Sequence, residues 1–149
     1  RRRHTRLLTV TGVQTCALPI CITTNLQLLQ MAKRMRIPYF RGVYMRNALP
    51  LYKIRRNESG ILNLDDVDGP GTHWVAYAKR GDRAMYFDSF GNLRPPKEIA
   101  RYLGNDTTIT YNRTIYQTYD QTICGQLCLL FLRQIDLNIN PSSLDISLR

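Results

Sequence analysis

The chain has 149 residues, a formal net charge of +10 and 44% hydrophobic residues. This length suits one domain of ordinary size with its own hydrophobic core. The sequence contains no run of about 18 apolar residues, which argues against a membrane-spanning helix, and its few cysteines do not form the disulfide framework of a small secreted domain, which favours a reducing, intracellular setting.

The first twenty residues differ in character from the rest of the chain. Residues 1–6 and 10–20 resemble one reading frame of a sequencing-library adapter, in order and separated by a short variable index. We therefore interpret residues 1–20 as an adapter artefact outside the fold, and residues 21–149 as a single domain. A basic targeting peptide is the alternative interpretation. Without the four arginines of residues 1–20 the net charge falls from +10 to +6.

The first element that the remaining sequence predicts is a helix. Apolar residues recur at helical spacing between Leu26 and Met35, and Thr24 or Asn25 can cap the helix N-terminus. The helix is expected to end before Pro38, because the residue that precedes a proline is disfavoured in the helical conformation.

The clearest hairpin follows a predicted turn at residues 57–60, Asn-Glu-Ser-Gly, and a polar, glycine-rich loop at residues 64–71. Its two strands, at residues 73–78 and 84–88, are rich in aromatic and branched residues, and five residues connect them. Alternation along the first strand predicts His73, Val75 and Tyr77 on one face and Trp74, Ala76 and Ala78 on the other.

The second half of the chain predicts two helices and two short strands. Two prolines open a helix at residues 97–103, with Gly104 as its C-cap. Residues 107–111 and 114–117 are typical of strands. An apolar helix spans residues 124–135, and its predicted inward side chains are Leu127, Cys128, Leu130, Phe131 and Ile135.

A histidine, an acid and a cysteine occur in that order at the ends of these elements. A hairpin brings His73 and Asp88 to the same end of the ribbon, so an acid–imidazole pair follows from local topology. Cys124 begins the apolar helix, and both a helix N-terminus and a neighbouring imidazolium lower the pKa of a thiol. These residues predict nucleophilic catalysis by Cys124, with His73 as the base and Asp88 as the acid that orients it.

Thiol catalysis also needs donors for the oxyanion of the tetrahedral intermediate. The backbone amide of Cys124 is one donor, and the side-chain amide of Gln117 or of Gln121 is the second. Asp120 lies close to the nucleophile in sequence and is the alternative to Asp88 as the orienting acid. A zinc site is disfavoured, because two close cysteines and one histidine supply three ligands and structural zinc needs four.

The order and spacing of several of these residues resemble those found in a known protein family. His73 is followed by Trp74, Asp88 comes shortly before Phe90-Gly91, and a glutamine lies seven residues before Cys124-Gly125. Together with Pro38-Tyr39-Phe40 upstream, the pattern resembles the adenovirus-type (adenain-like) cysteine endopeptidases over most of residues 26–132. It looks closest to the proteases of Maverick/Polinton elements and related viruses.

The resemblance implies an α+β fold of the papain-like, ubiquitin-like-protease type. In such a fold a central mixed sheet is flanked by helices and the nucleophile lies at a helix N-terminus. The resemblance also implies the roles of four residues: Cys124 as nucleophile, His73 as base, Asp88 as acid and Gln117 as oxyanion donor.

By the same resemblance, the substrates are precursor proteins of a virus or virus-like element, cut in the host nucleus or cytoplasm or in the virion. We expect a monomer that needs no membrane and no resident cofactor, although the family uses peptide and DNA activators. Excess positive charge allows weak DNA binding through a basic surface, but no nucleic-acid-binding motif accompanies it.

Two alternatives to a viral endopeptidase stay open. Isopeptidases that remove ubiquitin-like modifiers share the same residues, but they place the glutamine six residues before the cysteine and an Asp directly ahead of it. In this chain the spacing is seven and Ile123 precedes Cys124, which favours the viral type. The other alternative is a catalytically inactive, basic remnant that associates with DNA.

Overall fold

A computed structural model describes residues 23–135 of the chain. This part has an α+β fold, as the sequence predicts, with a central mixed sheet and flanking helices. In chain order the elements are α1 (Asn25–Met35), β1 (Phe40–Met45), β2 (Asn57–Asn63), β3 (Trp74–Arg80), β4 (Arg83–Phe87), α2 (Lys97–Leu103), β5 (Thr108–Tyr111) and α3 (Cys124–Gln134). Residues 1–20, interpreted above as an artefact, lie outside the described residues.

The five strands form one sheet in the order β1-β2-β3-β4-β5. The inner pairs, β2 with β3 and β3 with β4, are antiparallel, whereas the outer pairs, β1 with β2 and β4 with β5, are parallel. Helices α1 and α3 pack on one face of the sheet and α2 packs on the other. The central strand β3 is therefore covered on both faces, and every residue from Trp74 to Lys79 is buried.

Local sequence signals set the boundaries of α1. Thr24, not Asn25, caps its N-terminus, and the Thr24 and Gln27 side chains each bind the other's backbone amide in a capping box. At the other end, Arg36 adopts a left-handed conformation with φ 53° and its amide bonds back to the last turn. The helix ends at Met35, three residues before Pro38, as predicted.

The predicted hairpin is present, with a longer first strand, a second strand shifted by one residue and a shorter connection. Gly81 has φ 64° and allows a two-residue turn between β3 and β4 where the sequence predicted five residues. The alternation from Trp74 onward is as predicted: Trp74, Ala76 and Ala78 face α1 and α3, and Val75 and Tyr77 face α2. His73 precedes the strand, so its ring lies beside the start of α3 instead of on the face of Val75 and Tyr77.

The turn predicted at residues 57–60 is wrong, because these residues belong to β2. Glu58, Ser59 and Gly60 are buried between β1 and β3, and pairing on both sides overrides their turn preference. The Tyr77 ring lies across Gly60, where a Cβ atom would approach Tyr77 Cε1 to 2.6 Å. The sequence also gave no prediction for strand β1.

The strand predicted at residues 114–117 is also wrong. The amides of Tyr116 and Gln117 both donate to Ser89 O, at 2.8 and 3.1 Å, so this segment is bound to the loop after β4 instead of to a strand. The remaining predictions are confirmed: α2 and its cap at Gly104, β5, and α3. Helix α3 buries Leu127, Cys128, Leu129, Phe131 and Leu132, with Leu130 and Ile135 packed at the edge of the same core.

Candidate active site

The predicted acid–imidazole pair forms where β3 begins and β4 ends. His73 Nε2 donates to Asp88 Oδ1 at 2.8 Å, since a carboxylate can only accept. Both residues are buried, with 8% and 1% of their surface exposed. The same carboxylate oxygen accepts the amide of Phe90 at 2.9 Å. Asp88 therefore fixes the position of the ring and leaves Nδ1 as the ring nitrogen available to a second partner.

That second partner is Cys124, the first residue of α3. Burial opposes protonation of the His73 ring, but its hydrogen bonds to Asp88 and Cys124 outweigh burial and raise the pKa of His73 to about 9. Burial likewise opposes ionisation of the thiol, but the contact with His73 outweighs it and lowers the pKa of Cys124 below its usual value. The two shifts have one cause, a thiolate facing an imidazolium.

Backbone amides add to the stabilisation of the thiolate. The sulfur of Cys124 also receives hydrogen bonds from the amides of Trp74, at the start of β3, and of Gly125, in the first turn of α3. The amides of a helix N-terminus have no acceptor within the helix, and their dipoles favour a negative charge. The start of α3 thus contributes, together with the Trp74 amide, to the lowered pKa of Cys124.

Asn112 holds the backbone of Asp88 in place. The amide of Asp88 donates to Asn112 Oδ1 at 2.9 Å, and Asn112 Nδ2 donates to the carbonyl of Asp88 at 2.7 Å. The side chain of the buried Asn112 thus continues the hydrogen bonding between β4 and β5 beyond the ends of the two strands. Sequence reasoning missed this residue, since its only signal is its position directly after the predicted strand that ends at Tyr111.

Gln117, the predicted oxyanion donor, is buried with its amide in a defined orientation. Its Oε1 accepts the hydroxyl of Ser89 at 2.9 Å, and its Nε2 donates one hydrogen to the carbonyl of Gln121 at 3.0 Å. The second Nε2 hydrogen can serve a ligand. Gln121 is exposed and its own Oε1 accepts the amide of Thr118. The oxyanion role of Gln117 stays a prediction.

Asp120, the alternative acid, does not contact the imidazole. Its carboxylate is exposed and accepts the hydroxyl of Thr118 within the loop before α3, and this hydrogen bond lowers the pKa of Asp120. The structure therefore brings His73, Asp88 and Cys124 together and leaves Asp120 at the surface.

A stack of aromatic rings covers one side of the imidazole. Phe90 stacks on His73 with ring centroids 4.3 Å apart and planes inclined by 21°, and Tyr119 lies against Phe90 at 4.5 Å. Tyr119 is 87% exposed, so the stack runs from the buried ring to solvent. Trp74, by contrast, is a core residue whose Nε1 donates to the carbonyl of Thr23 at 2.9 Å.

The other thiol of α3 differs chemically from Cys124. Cys128 is fully buried, and burial raises the pKa of Cys128 well above its usual value. Residues 23–135 contain no group of three or more His, Cys, Asp or Glu side chains placed to hold a metal ion. Over the same residues, no helix has the length and apolar character needed to cross a membrane.

Comparison with known proteins finds similarity among solved structures. No protein-family model matches the sequence, and no curated protein sequence matches it. The crystal structure of the selenomethionine ASFV pS273R protease is similar with 28% sequence identity and a TM-score of 0.45. The similarity covers 58% of this chain and 37% of that chain, so the matched region spans little more than a third of the viral protein's length.

Proposed function

We propose that this protein is a cysteine endopeptidase, a hydrolase that cleaves peptide bonds through an acyl-thioester. The observation that carries the proposal is the hydrogen-bonded series Asp88–His73–Cys124, in which Cys124 also begins a helix. A buried carboxylate, an imidazole of raised pKa and a thiol of lowered pKa form the groups that activate a sulfur nucleophile and protonate a leaving amine.

In the acylation step, the Cys124 thiolate attacks the carbonyl carbon of the scissile peptide bond. The negative charge moves to the carbonyl oxygen, where the Cys124 amide and Gln117 Nε2 donate hydrogen bonds. As the oxyanion collapses, the C–N bond breaks and His73 gives its proton to the departing nitrogen. The products are a free amine and a thioester on Cys124.

In the deacylation step, water attacks the thioester carbon and neutral His73 takes a proton from it. Collapse of the second tetrahedral intermediate breaks the C–S bond and releases a carboxylic acid. The thiolate–imidazolium pair is then restored. Asp88 accepts a hydrogen bond from His73 Nε2 in both steps. This hydrogen bond holds Nδ1 toward the sulfur and stabilises the imidazolium whenever the ring is protonated.

The residue pattern around the site supports a more specific proposal about the substrates. The adenain-like spacing of His73-Trp74, Asp88 and Gln117 with Cys124-Gly125 favours precursor proteins of a virus or virus-like element as substrates, cut after small residues within an infected or host cell or in a virion. Under this proposal the partners are protein substrates, and no resident cofactor takes part in either step.

The proposal is tested with a peptide library and mass spectrometry on the full chain. We expect cleavage products that gain one water, no turnover by Cys124→Ala, and an unchanged circular dichroism spectrum for that variant. The matched control is Cys128→Ala, which removes the other thiol of the same helix and should retain turnover. Turnover that persists in Cys124→Ala would refute the nucleophile assignment.

A second reagent separates the endopeptidase from the isopeptidase. Ubiquitin-like modifiers that carry a C-terminal vinyl sulfone form a thioether with an isopeptidase thiol only when the modifier itself is recognised. We expect a small electrophile such as iodoacetamide to label Cys124 and the modifier probes to leave it unlabelled. Rapid labelling by a modifier probe would reassign the substrate class, and failure of both reagents would favour an inactive remnant.

A further inference from the structure

A cavity lies at the end of the sheet opposite to Cys124. It has a volume of about 440 Å³ and is bounded by residues 53–56, the turn after β3 and the C-terminal end of α2. His73 precedes the first residue of β3 and Lys79 stands near the last. At about 3.3 Å per strand residue, the cavity is roughly 20 Å from the catalytic imidazole.

The lining of this cavity is rich in cations that lack acidic partners. Lys53, Arg55, Arg56 and Lys79 line it, together with the two acids Asp82 and Asp106. The ion pairs formed within residues 23–135 involve other cations, so none of these four is paired there. The cavity thus carries a net excess of positive charge that the surrounding fold does not neutralise.

Lys79 makes the case more specific, because its side chain is largely buried and lines the cavity. Only 8% of the residue's surface is exposed, and its ammonium group donates to the carbonyl of Gly81. An ammonium has three N–H donors, so two have no acceptor among residues 23–135. Placing an unpaired charge in a poorly hydrated position is costly, and an anion in the cavity would reduce that cost.

The nearest buried acid is not available to Lys79. Glu58 is its partner in the β2–β3 register, but the two side chains form no ion pair. Both carboxylate oxygens of Glu58 are already occupied, by the side chains of Arg41, Tyr77 and Tyr102 and the amide of Arg55. Arg41 balances the charge of Glu58, which leaves that of Lys79 uncompensated.

We propose that this cavity is a binding site for an anion that carries two or more phosphoryl groups. Its volume lies within the usual range for small-molecule sites, and several cations around one cavity match an anion with several charges. Arg55 and Arg56 can each bind a phosphoryl group with two parallel hydrogen bonds, whereas Lys79 supplies a point charge. A free oligophosphate and the backbone of a nucleic acid share this chemistry.

The test uses isothermal titration of the full chain with inorganic tripolyphosphate at fixed ionic strength, with sulfate as the comparison anion. We expect saturable binding of tripolyphosphate, at least about tenfold tighter than that of sulfate, and a loss of about tenfold or more in Lys79→Met. The matched control is Lys33→Met, which removes one exposed cation from α1 and should bind tripolyphosphate as the parent does.

Two further measurements make the outcome decisive. Thermal melting without ligand checks that Lys79→Met folds, and we expect it to melt no lower than the parent because a buried unpaired cation has been removed. A short single-stranded oligodeoxynucleotide identifies the source of the phosphoryl groups. If the oligonucleotide binds and tripolyphosphate displaces it, the ligand is a nucleic-acid backbone. If tripolyphosphate binds and the oligonucleotide does not, the ligand is a free oligophosphate. Absence of tripolyphosphate binding, or equal affinity in the parent and Lys79→Met, would overturn the proposal.

Discussion

His73 receives opposing influences, and their balance sets the working pH of the site. Burial favours the neutral ring, whereas hydrogen bonds to Asp88 and Cys124 favour the imidazolium and raise the pKa of His73 to about 9. The pKa of Cys124 is lowered by the same contact. The ion pair therefore exists between the lowered pKa of the Cys124 thiol and about pH 9, where the His73 ring loses its proton.

This ion pair predicts the pH dependence of alkylation at Cys124. Iodoacetamide reacts with the thiolate, so Cys124 should be labelled at a lower pH than an ordinary thiol, whose pKa is about 8.5. In His73→Ala the midpoint of the labelling profile should rise toward that ordinary value. Quantitative peptide mass spectrometry follows both thiols, and buried Cys128 should stay unlabelled in the folded protein. A profile that is unchanged in His73→Ala would contradict the ion pair.

Replacing each candidate acid, Asp88 or Asp120, with asparagine distinguishes between them. In Asp88→Asn, the side chain can still accept the amide of Phe90, but its amide group can force His73 into the tautomer with a hydrogen facing the sulfur. We expect kcat/KM to fall by up to roughly 10⁴ with the fold intact, the size of the loss when asparagine replaces the aspartate of a serine-protease triad. Asp120→Asn should change kcat/KM less than about twofold, because Asp120 is exposed and only bonds within its loop. A larger effect at Asp120 than at Asp88 would reverse the assignment.

At the scale of elements, the position of Cys124 depends on how closely α3 approaches α1. Gly125 faces Leu28, and a Cβ atom at Gly125 would lie 2.9 Å from Leu28 Cδ2 and 3.3 Å from Thr23 Cβ. Leu28 is fully buried, so its side chain has little freedom to move away. The absence of a side chain at Gly125 therefore sets where the helix N-terminus meets the imidazole.

Gly125→Ala should consequently destabilise the fold and disturb the site. Crowding in a packed core costs about 1 to 3 kcal/mol, and the helix preference of alanine over glycine offsets about 1 kcal/mol of this. We expect a net loss of about 1 kcal/mol in urea unfolding and slower labelling of Cys124. The double variant Leu28→Val/Gly125→Ala makes room for the methyl group, so its loss should be smaller than the sum of the two single losses. Additive losses would show that the contact does not limit the approach of α3.

The elements that the sequence predicts correctly are those with local signals. The capping box of Thr24 lies within three residues of the helix that it starts, and the hairpin places His73 and Asp88 at one end without reference to the rest of the chain. Strand β2 has no such signal, because Asn57 to Gly60 favour a turn locally. Its pairing depends on β1 and β3, and Gly60 is explained only by the ring of Tyr77.

The candidate site follows the same division. Cys124 could be assigned from its position at the start of an apolar helix and from the resemblance of its surroundings, although the distance to His73 could not be derived from spacing. Asn112 could not be found, because its role depends on the parallel pairing of β4 with β5, which the sequence does not reveal. The sequence places Phe90 close to Asp88, but its stacking on His73 depends on the turn conformation after Asp88 and could not be predicted.

At the scale of the whole molecule, one buried network joins four elements on the α2 side of the sheet. Glu58 on β2 accepts hydrogen bonds from Arg41 on β1, Tyr77 on β3 and Tyr102 on α2. Burial of the carboxyl opposes ionisation, but these hydrogen bonds and the Arg55 amide outweigh it and lower the pKa of Glu58 below its usual value. The network couples the edge of the sheet to its centre and to the helix that covers it.

The lowered pKa of Glu58 gives the network a defined pH dependence. A group whose pKa is lowered in the folded state contributes stability at pH values above its unfolded pKa, which is about 4.3 for glutamate. This contribution is lost as the pH falls through the folded pKa. Glu58→Gln keeps the shape of the side chain but leaves Arg41 without its buried partner, so we expect a loss of about 3 kcal/mol at pH 7.

The difference between the parent and Glu58→Gln should therefore shrink as the pH falls from the unfolded pKa, about 4.3, through the lowered folded pKa of Glu58. Urea unfolding at pH 7 and pH 3 measures it. The matched control is Glu98→Gln on α2, whose carboxylate is partly exposed and lies 3.6 Å from Arg46; an exposed pair of this kind should change stability by less than about 1 kcal/mol at either pH. An equal loss for Glu58→Gln at both pH values would show that the charge of Glu58 does not stabilise the network.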